Sequence, residues 1–169
     1  MGYGSTSITT ALLQYELDST LRELEEYTSY DAIIKSYRLG IEALGEIKKF
    51  VKEHGNNFDC IERDTLLYTA KNSDIAQIRE EYEIRKENGF DVLYMNEESN
   101  PFSFDMKAGL YAVNGGLEID PYKFTHELLK VAMDNGLKVY ENTEVTGVHY
   151  NEEGVTVSTR YDYKVHGKI

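Results

Sequence analysis

The strictest local instructions in this chain lie between Asp120 and Gly136. Asp120 precedes Pro121, so the aspartate is an expected N-cap and the proline takes the first helical position, where its missing N–H costs nothing. Phe124, Leu128 and Ala132 recur at four-residue spacing, a stripe expected to be buried, and Gly136 stops the helix. The residues beyond Gly136 read as β structure. "KVYEN" (138–142) is an expected strand, and "EVTGVHY" (144–150) and "VTVSTRY" (155–161) alternate. "NEEG" (151–154) joins the last two as a hairpin with Gly154 at the positive-φ position.

The chain upstream is organised by the same kinds of signal. Residues 1–17 are an irregular, hydroxyl-rich start. Thr20 with Glu23 makes a capping box that predicts a short helix to about Tyr27. Ser29 or Asp31 opens a longer helix, whose apolar residues Ile33, Tyr37, Ile41, Leu44, Ile47 and Val51 share one face. Gly55 ends it, with His54 in the last turn. "CIERDTLLYTA" (60–70) reads as strand, bend, strand. Asp74 with Gln77 starts a third helix, carried by Ile75, Ile78 and Tyr82 and stopped by Gly89. "DVLYM" (91–95) and "KAGLYAV" (107–113) are strands separated by a Pro101-containing loop, and Gly115-Gly116 turns the chain. The expected fold class is α+β: a sheet with flanking helices, and a second stretch of helix and strands.

Composition narrows the function classes. The 169 residues are about one domain's worth, and 41% of them are hydrophobic, enough for a core. A formal net charge of -12, with no stripe of Lys and Arg, argues against nucleic acid and against an anionic membrane surface. No apolar run approaches the ~20 residues of a membrane span. Cys60 is the single cysteine, so it can form neither a disulfide framework nor a cysteine-based metal site, and it reads as a small hydrophobe beside a strand. A reducing cytoplasm fits.

The familiar catalytic patterns are missing. His54, His126, His149 and His166 are scattered without metal-ligand spacing. The doublets Glu25-Glu26, Glu80-Glu81, Glu97-Glu98 and Glu152-Glu153 read as solvated surface, because adjacent helical residues do not share a face. The sequence holds no GxSxG, Walker A or GxGxxG motif. Two segments stand out. In "STSITTALLQYELD" (5–18), hydroxyl residues lead into Leu12, Leu13 and Leu17, which are too apolar for a solvated tail and are expected to pack on something. The other is the helix–strand–hairpin of "GLEIDPYKFTHELLKVAMDNGLKVYENTEVTGV" (116–148).

These segments, with "SYDAIIKSYRLGIEALGEIKKFVKEH" (29–54) and "CIERDTLLYTAKNSDIAQIREEYEIRKENGFDV" (60–92) between them, resemble in order and spacing the FAD-dependent oxidoreductases of the D-amino-acid-oxidase type, which include glycine oxidase and FAD-dependent glycerol-3-phosphate dehydrogenase. The match covers nearly all of the chain and rests on segment order, not on one diagnostic motif. The resemblance implies three parts: 1–17 as a flavin-proximal segment, 18–113 as helices and substrate-side strands, and 114–169 as the return to the FAD domain. It implies a substrate-binding sheet with flanking helices plus part of an FAD-binding, Rossmann-like domain, and FAD as cofactor in the full-length protein. Ser7, Thr9, Thr10, Ala11 and Leu12, with Gln14, would lie at the flavin, and Val145 at the adenine. A small amine, amino acid or hydroxy compound would be oxidised by hydride transfer to flavin over the sheet of "TLLYTA", "DVLYM" and "KAGLYAV". The family's GxGxxG loop and C-terminal catalytic segments have no counterpart here. The expectation is therefore an internal fragment that is inactive alone, holds no FAD tightly, and is able to self-associate through exposed apolar surface. The competing reading is a complete acidic α+β module that binds a protein partner without catalysis.

Overall fold

The computed structural model describes residues 2–152 and 154–168 and divides into two compact units, residues 2–127 and 128–168. The first unit is built on a sheet of four antiparallel strands, β1 (Leu12–Gln14), β2 (Ile61–Thr69), β3 (Leu93–Asn96) and β4 (Ala108–Glu118). The long β4 is central. It pairs with β2 on one side at both ends, through 108–112 and 116–118, and on the other side its two ends pair with β3 and β1. The "TLLYTA", "DVLYM" and "KAGLYAV" segments are therefore parts of a single sheet.

Helices α1 (Leu21–Leu24), α2 (Tyr30–His54) and α3 (Ile75–Glu87) accompany this sheet. Thr20 and Glu23 form the capping box reciprocally, Ser29 caps α2, and Gly55 ends α2 at φ 90°. One core joins Ile33, Tyr37 and Leu44 of α2 and Ile78 of α3 to Ala108, Leu110, Ala112 and Leu117 of β4. A smaller cluster sets Phe58 and Ala11 against Ile119, with half-buried Phe50 and Phe124 around it. The Phe58 and Phe124 rings lie 4.7 Å apart. Ile41 departs from the expected stripe and is exposed. α1 ends at Leu24, a turn before Tyr27.

Two expected breaks are not breaks. "CIERDTLLYTA" contains one strand with a bulge between Arg63 and Thr65, and Gly115-Gly116 lies inside β4. The Asp64 carboxylate at the bulge accepts bonds from the Tyr111 hydroxyl and from the Asn114 N–H, at 2.8 Å for the latter, so the extra residues are pinned and do not reverse the chain. The glycines are there for clearance. A Cβ on Gly115 would stand 2.7 Å from Thr65 Oγ1, and one on Gly116 would stand 2.7 Å from the Leu13 carbonyl oxygen.

Helix α4 (Pro121–Asp134) starts as its sequence directs, with the Lys123 N–H donating to Asp120 Oδ1 at 2.9 Å, and Gly136 follows it at φ 96°. Its stripe is not buried: Phe124 and Ala132 are half-buried and Leu128 is exposed. The second unit holds the end of this helix and a three-stranded antiparallel meander, β5 (Val145–Asn151), β6 (Gly154–Thr159) and β7 (Lys164–Gly167). The hairpin forms as its alternation predicts, with Gly154 at φ 141°; Glu153 of its connection lies outside the described residues. "KVYEN" forms no strand, because no described strand pairs with it, and β7 is an unexpected one. Among the described residues no helix is long and apolar enough to cross a membrane, and no cluster of His, Cys, Asp and Glu could hold a metal ion.

Candidate functional site

The hydroxyl-rich segment is a short 3-10 turn at Ser5–Ser7 followed by irregular chain that enters β1. Ser7 Oγ donates to the Gly4 carbonyl at 2.9 Å. Thr9 Oγ1 accepts from the Ala11 N–H at 3.3 Å, while the side chain of Thr10 is exposed. Among the described residues no hydrogen bond engages the backbone N–H of Thr9 or Thr10. Ala11 is the joint. It is 6% exposed, adopts φ 55°, and its carbonyl accepts from the Ile119 N–H at 3.3 Å. A left-handed alanine costs about 1 kcal/mol or more and persists only where its surroundings dictate it.

Beyond Ala11 the segment is a strand, not an irregular arm. Leu13 packs on both core clusters. Leu12 and Leu17 do not pack as expected; they are 63% and 51% exposed, because the strand alternation turns Leu12 to the open face and Leu17 lies in the following bend. Cross-strand register puts Leu12 and Gln14 of β1, Gly116 and Glu118 of β4, and Ile61 and Arg63 of β2 on one face. Leu13 and Leu117 point the other way, into the core under α2 and α3. Gln14 Nε2 donates to the Glu16 carbonyl at 3.3 Å.

The exit of β1 is held by a buried charged cluster. Arg85 of α3 donates to the Glu16 carboxylate and pairs with Glu81 at 2.7 Å, and its side chain is only 1% exposed. Glu16 also accepts from the Thr65 hydroxyl, and Glu81 accepts from the Leu21 N–H at 2.8 Å. The Tyr15 and Tyr37 rings lie 5.9 and 5.4 Å from the guanidinium carbon. Burial pulls the Arg85 guanidinium down, but the carboxylates of Glu16 and Glu81 outweigh it and hold it above its ordinary value. Burial pushes the Tyr37 phenol up to about 12 and raises that of Tyr15, where the Glu16 charge adds to it. Each carboxylate has two partners, so this cluster satisfies the condition under which buried charge is tolerated. It fastens residues 15–21 to α3 and to β2. Beside it lies a cavity of about 380 Å³ lined by Gln14, Glu16, Thr20, Thr65, Gln77 and Arg85, among others.

The sequence reading missed this cluster and placed Glu80-Glu81 on solvated surface. Glu80 fits, meeting Arg22 at 2.7 Å in water. Glu81 does not; it is 1% exposed. The Glu81–Arg85 spacing of four on a helix was a visible signal, but its burial depends on a segment 60 residues away landing on it. Of the expected cofactor residues, Ser7, Thr9, Thr10, Ala11, Leu12 and Gln14 fall together in the first unit, whereas Val145, half exposed at the start of β5 opposite Thr159, belongs to the second. Half-buried Cys60 precedes β2, its thiol raised by burial and by the Glu62 charge.

The fold has counterparts among known proteins. Residues 1–166 match the family described as FAD dependent oxidoreductase. The fold resembles glycine oxidase from Geobacillus kaustophilus (TM-score 0.76, 16% identity), covering 98% of this chain and 44% of that one. It also resembles FAD-bound L-alpha-glycerophosphate oxidase from Mycoplasma pneumoniae (TM-score 0.69, 17% identity), covering 95% and 41%. A protein of Bacillus subtilis (strain 168) with the provisional name Rieske 2Fe-2S iron-sulfur protein YhfW is 24% identical over 155 residues, which are 92% of this chain and 30% of that protein. The chain thus spans less than half the length of each of these relatives, with the match running through nearly all of its own residues. It belongs to the D-amino-acid-oxidase (DAO) family of FAD-dependent oxidoreductases.

Proposed function

We propose that this chain supplies the flavin-facing loop and the substrate-side sheet of an enzyme that oxidises a small amine, amino acid or hydroxy compound. When bound, FAD supplies the chemistry by accepting a hydride from the C–H beside the amine or hydroxyl. Ser7, Thr9, Thr10, Ala11, Leu12 and Gln14 approach the flavin, and Val145 approaches the adenine through its backbone. The observation that carries the reading is the Thr9–Thr10 stretch. It offers two N–H groups that no hydrogen bond among the described residues engages, and two small hydroxyl side chains, immediately before a strained, buried joint at Ala11. Such donors suit the carbonyl oxygens and ring nitrogens of a flavin edge, and they stabilise developing negative charge without bulk. Leu12 offers apolar surface to the ring. Arg85 and Glu16 hold the end of the loop, so that its donors stay placed before any ligand arrives.

In this reading residues 1–17 serve the flavin, 18–113 the substrate, and 114–169 the FAD domain, in a cytoplasmic setting. The chain alone turns over no substrate and holds FAD weakly. Most affinity for a dinucleotide comes from its pyrophosphate on a glycine-rich turn at a helix N-terminus, and no stretch of this sequence carries that motif. The exposed Leu12 and Leu17 are then the surface through which isolated chains associate.

Titration of the labelled chain with FAD tests this. Amide resonances of Thr9–Gln14 should shift, those of α2 should not, and calorimetry should give a Kd no tighter than about 1 mM, near -4 kcal/mol. Shifts confined to other segments would remove the loop assignment, and flavin carried stoichiometrically through purification would remove the weak-binding claim.

A further inference from the structure

Gly45 has no steric reason to be glycine. It sits inside α2, where glycine lowers stability relative to alanine, and a Cβ built on it meets nothing within 4 Å. Gly40 of the same helix is accounted for by the Tyr15 backbone, which a Cβ would strike at 2.8 Å. What Gly45 does is leave space. It lines a cavity of about 270 Å³ that opens between α2 and β4. Ile41, Gly45 and Lys48 follow one another a turn apart on one face of α2 and form one side of this cavity. Ile41, which departs from the buried stripe, is 45% exposed at the cavity wall.

The opposite side is a notch in the sheet. β3 pairs with residues 108–111 of β4 and β1 with residues 116–118, so neither covers 112–115. Exposed Val113 and Gly115 line the cavity from this notch, and buried Tyr15, Leu44 and Ala112 make its floor. The floor residues belong to the core on the helix side of the sheet, away from the face that carries Leu12 and Gln14.

The lining specifies an occupant. An apolar cavity of about 150 Å³ holds a benzene ring, so 270 Å³ has room for a ring with a short substituent. Two charged side chains stand at the rim, Lys48 and Asp91. Lys48 is taken, with its Nζ 2.7 Å from Glu62. Among the described residues nothing engages the exposed carboxylate of Asp91. The net charge of -12 draws cations toward the surface and repels anions. A free carboxylate at the edge of an apolar cavity matches an apolar body that carries an ammonium group.

We propose that this cavity binds a small organic amine, with its apolar body over Tyr15, Leu44 and Ala112 and its ammonium group at Asp91, and that the missing side chain of Gly45 admits it. The site stands apart from the hydroxyl-rich loop and from the open face of the sheet, so its occupant is not the compound oxidised.

Benzylamine is the probe, with benzyl alcohol as its neutral counterpart and benzoate as its anionic one. Titrated into the labelled chain at neutral pH without flavin, benzylamine should shift the amides of Gly45, Val113 and Gly115 saturably. Benzyl alcohol should bind about two- to fivefold more weakly, the worth of an exposed ion pair, and benzoate more weakly still. Asp91→Asn, a change at an exposed position, should weaken benzylamine by the same factor and leave benzyl alcohol unchanged. Gly45→Leu should abolish binding, because a helical side chain leans toward the N-terminal turn and so over the cavity toward Ile41. It should also raise the urea midpoint, because leucine is the better helix former, which separates loss of the site from loss of the fold. Benzylamine binding that survives Gly45→Leu, shifts that map to other segments, or benzyl alcohol binding as tightly as the amine would each overturn the proposal. Shifts of these amides with protein concentration alone, accompanied by a dimer in sedimentation, would overturn it by giving the cavity to a second copy of the chain.

Discussion

Gly40 and Gly45 sit on the same helix and should respond to alanine with opposite signs. In an exposed helix interior, Gly→Ala stabilises by about 1 kcal/mol, because alanine restricts the unfolded chain and shields the backbone. At Gly45 nothing lies within 4 Å of the added methyl, so the full gain of about 1 kcal/mol is expected. At Gly40 the new Cβ would meet the Tyr15 carbonyl oxygen at 2.8 Å and the Tyr15 Cα at 3.0 Å. These are backbone atoms and cannot rotate away. Tyr15 is itself fixed by the Glu16–Arg85 pair one residue on. Relief therefore requires a shift of several tenths of an ångström by α2 or by the exit of β1, and overpacking of this kind costs about 1–3 kcal/mol. The net for Gly40→Ala is a loss of up to about 2 kcal/mol, and the gap between the two variants is about 1–3 kcal/mol. Urea unfolding followed by far-ultraviolet circular dichroism measures both. If Gly40→Ala raises the midpoint as much as Gly45→Ala does, the chain leaving β1 does not lie against α2. The hydroxyl-rich loop would then not be held through the Tyr15–Glu16 exit of β1.

Arg85→Met leaves Glu16 and Glu81 buried without a counter-charge and should cost about 3–5 kcal/mol in the same assay; a loss below about 1 kcal/mol would mean that the cluster is wet. Tyr37 is neutral when folded, with its phenol raised from 10.0 to about 12 chiefly by burial, so its contribution is complete below pH 10 and should be lost between pH 10 and 12 as the unfolded chain ionises first. Absorbance at the phenolate band and unfolding should rise together in that window, and Tyr37→Phe should flatten the pH dependence of stability there. Phe124→Ala should cost about 2 kcal/mol, less than the 3–5 of a fully buried ring, because Phe124 is half-buried and leans on Phe58 and Phe50; a denaturant melt giving 4 kcal/mol or more would show that the ring is enclosed.

The elements whose signals are local were legible from the sequence. Thr20 with Glu23, Ser29, Asp120-Pro121, Gly55, Gly136 and Gly154 each satisfy a backbone requirement with a residue a few positions away, so the chain states them without its fold. The order of segments likewise carried the family. Strand continuity was not local. Gly115-Gly116 and Asp64 look like turn residues, and only the pairing of β2 with β4 makes them a bulge and a close contact inside a sheet. "KVYEN" has the composition of a strand, but a strand exists only through a partner's hydrogen bonds. The candidate site divides in the same way. The hydroxyl-rich run could be seen in the sequence. Its anchoring by Arg85 could not, nor could the bond from the Thr65 hydroxyl to Glu16. Those contacts join residues 69 and 49 positions apart, and burial of a charge is decided by what the rest of the chain lays over it, not by its neighbours in sequence.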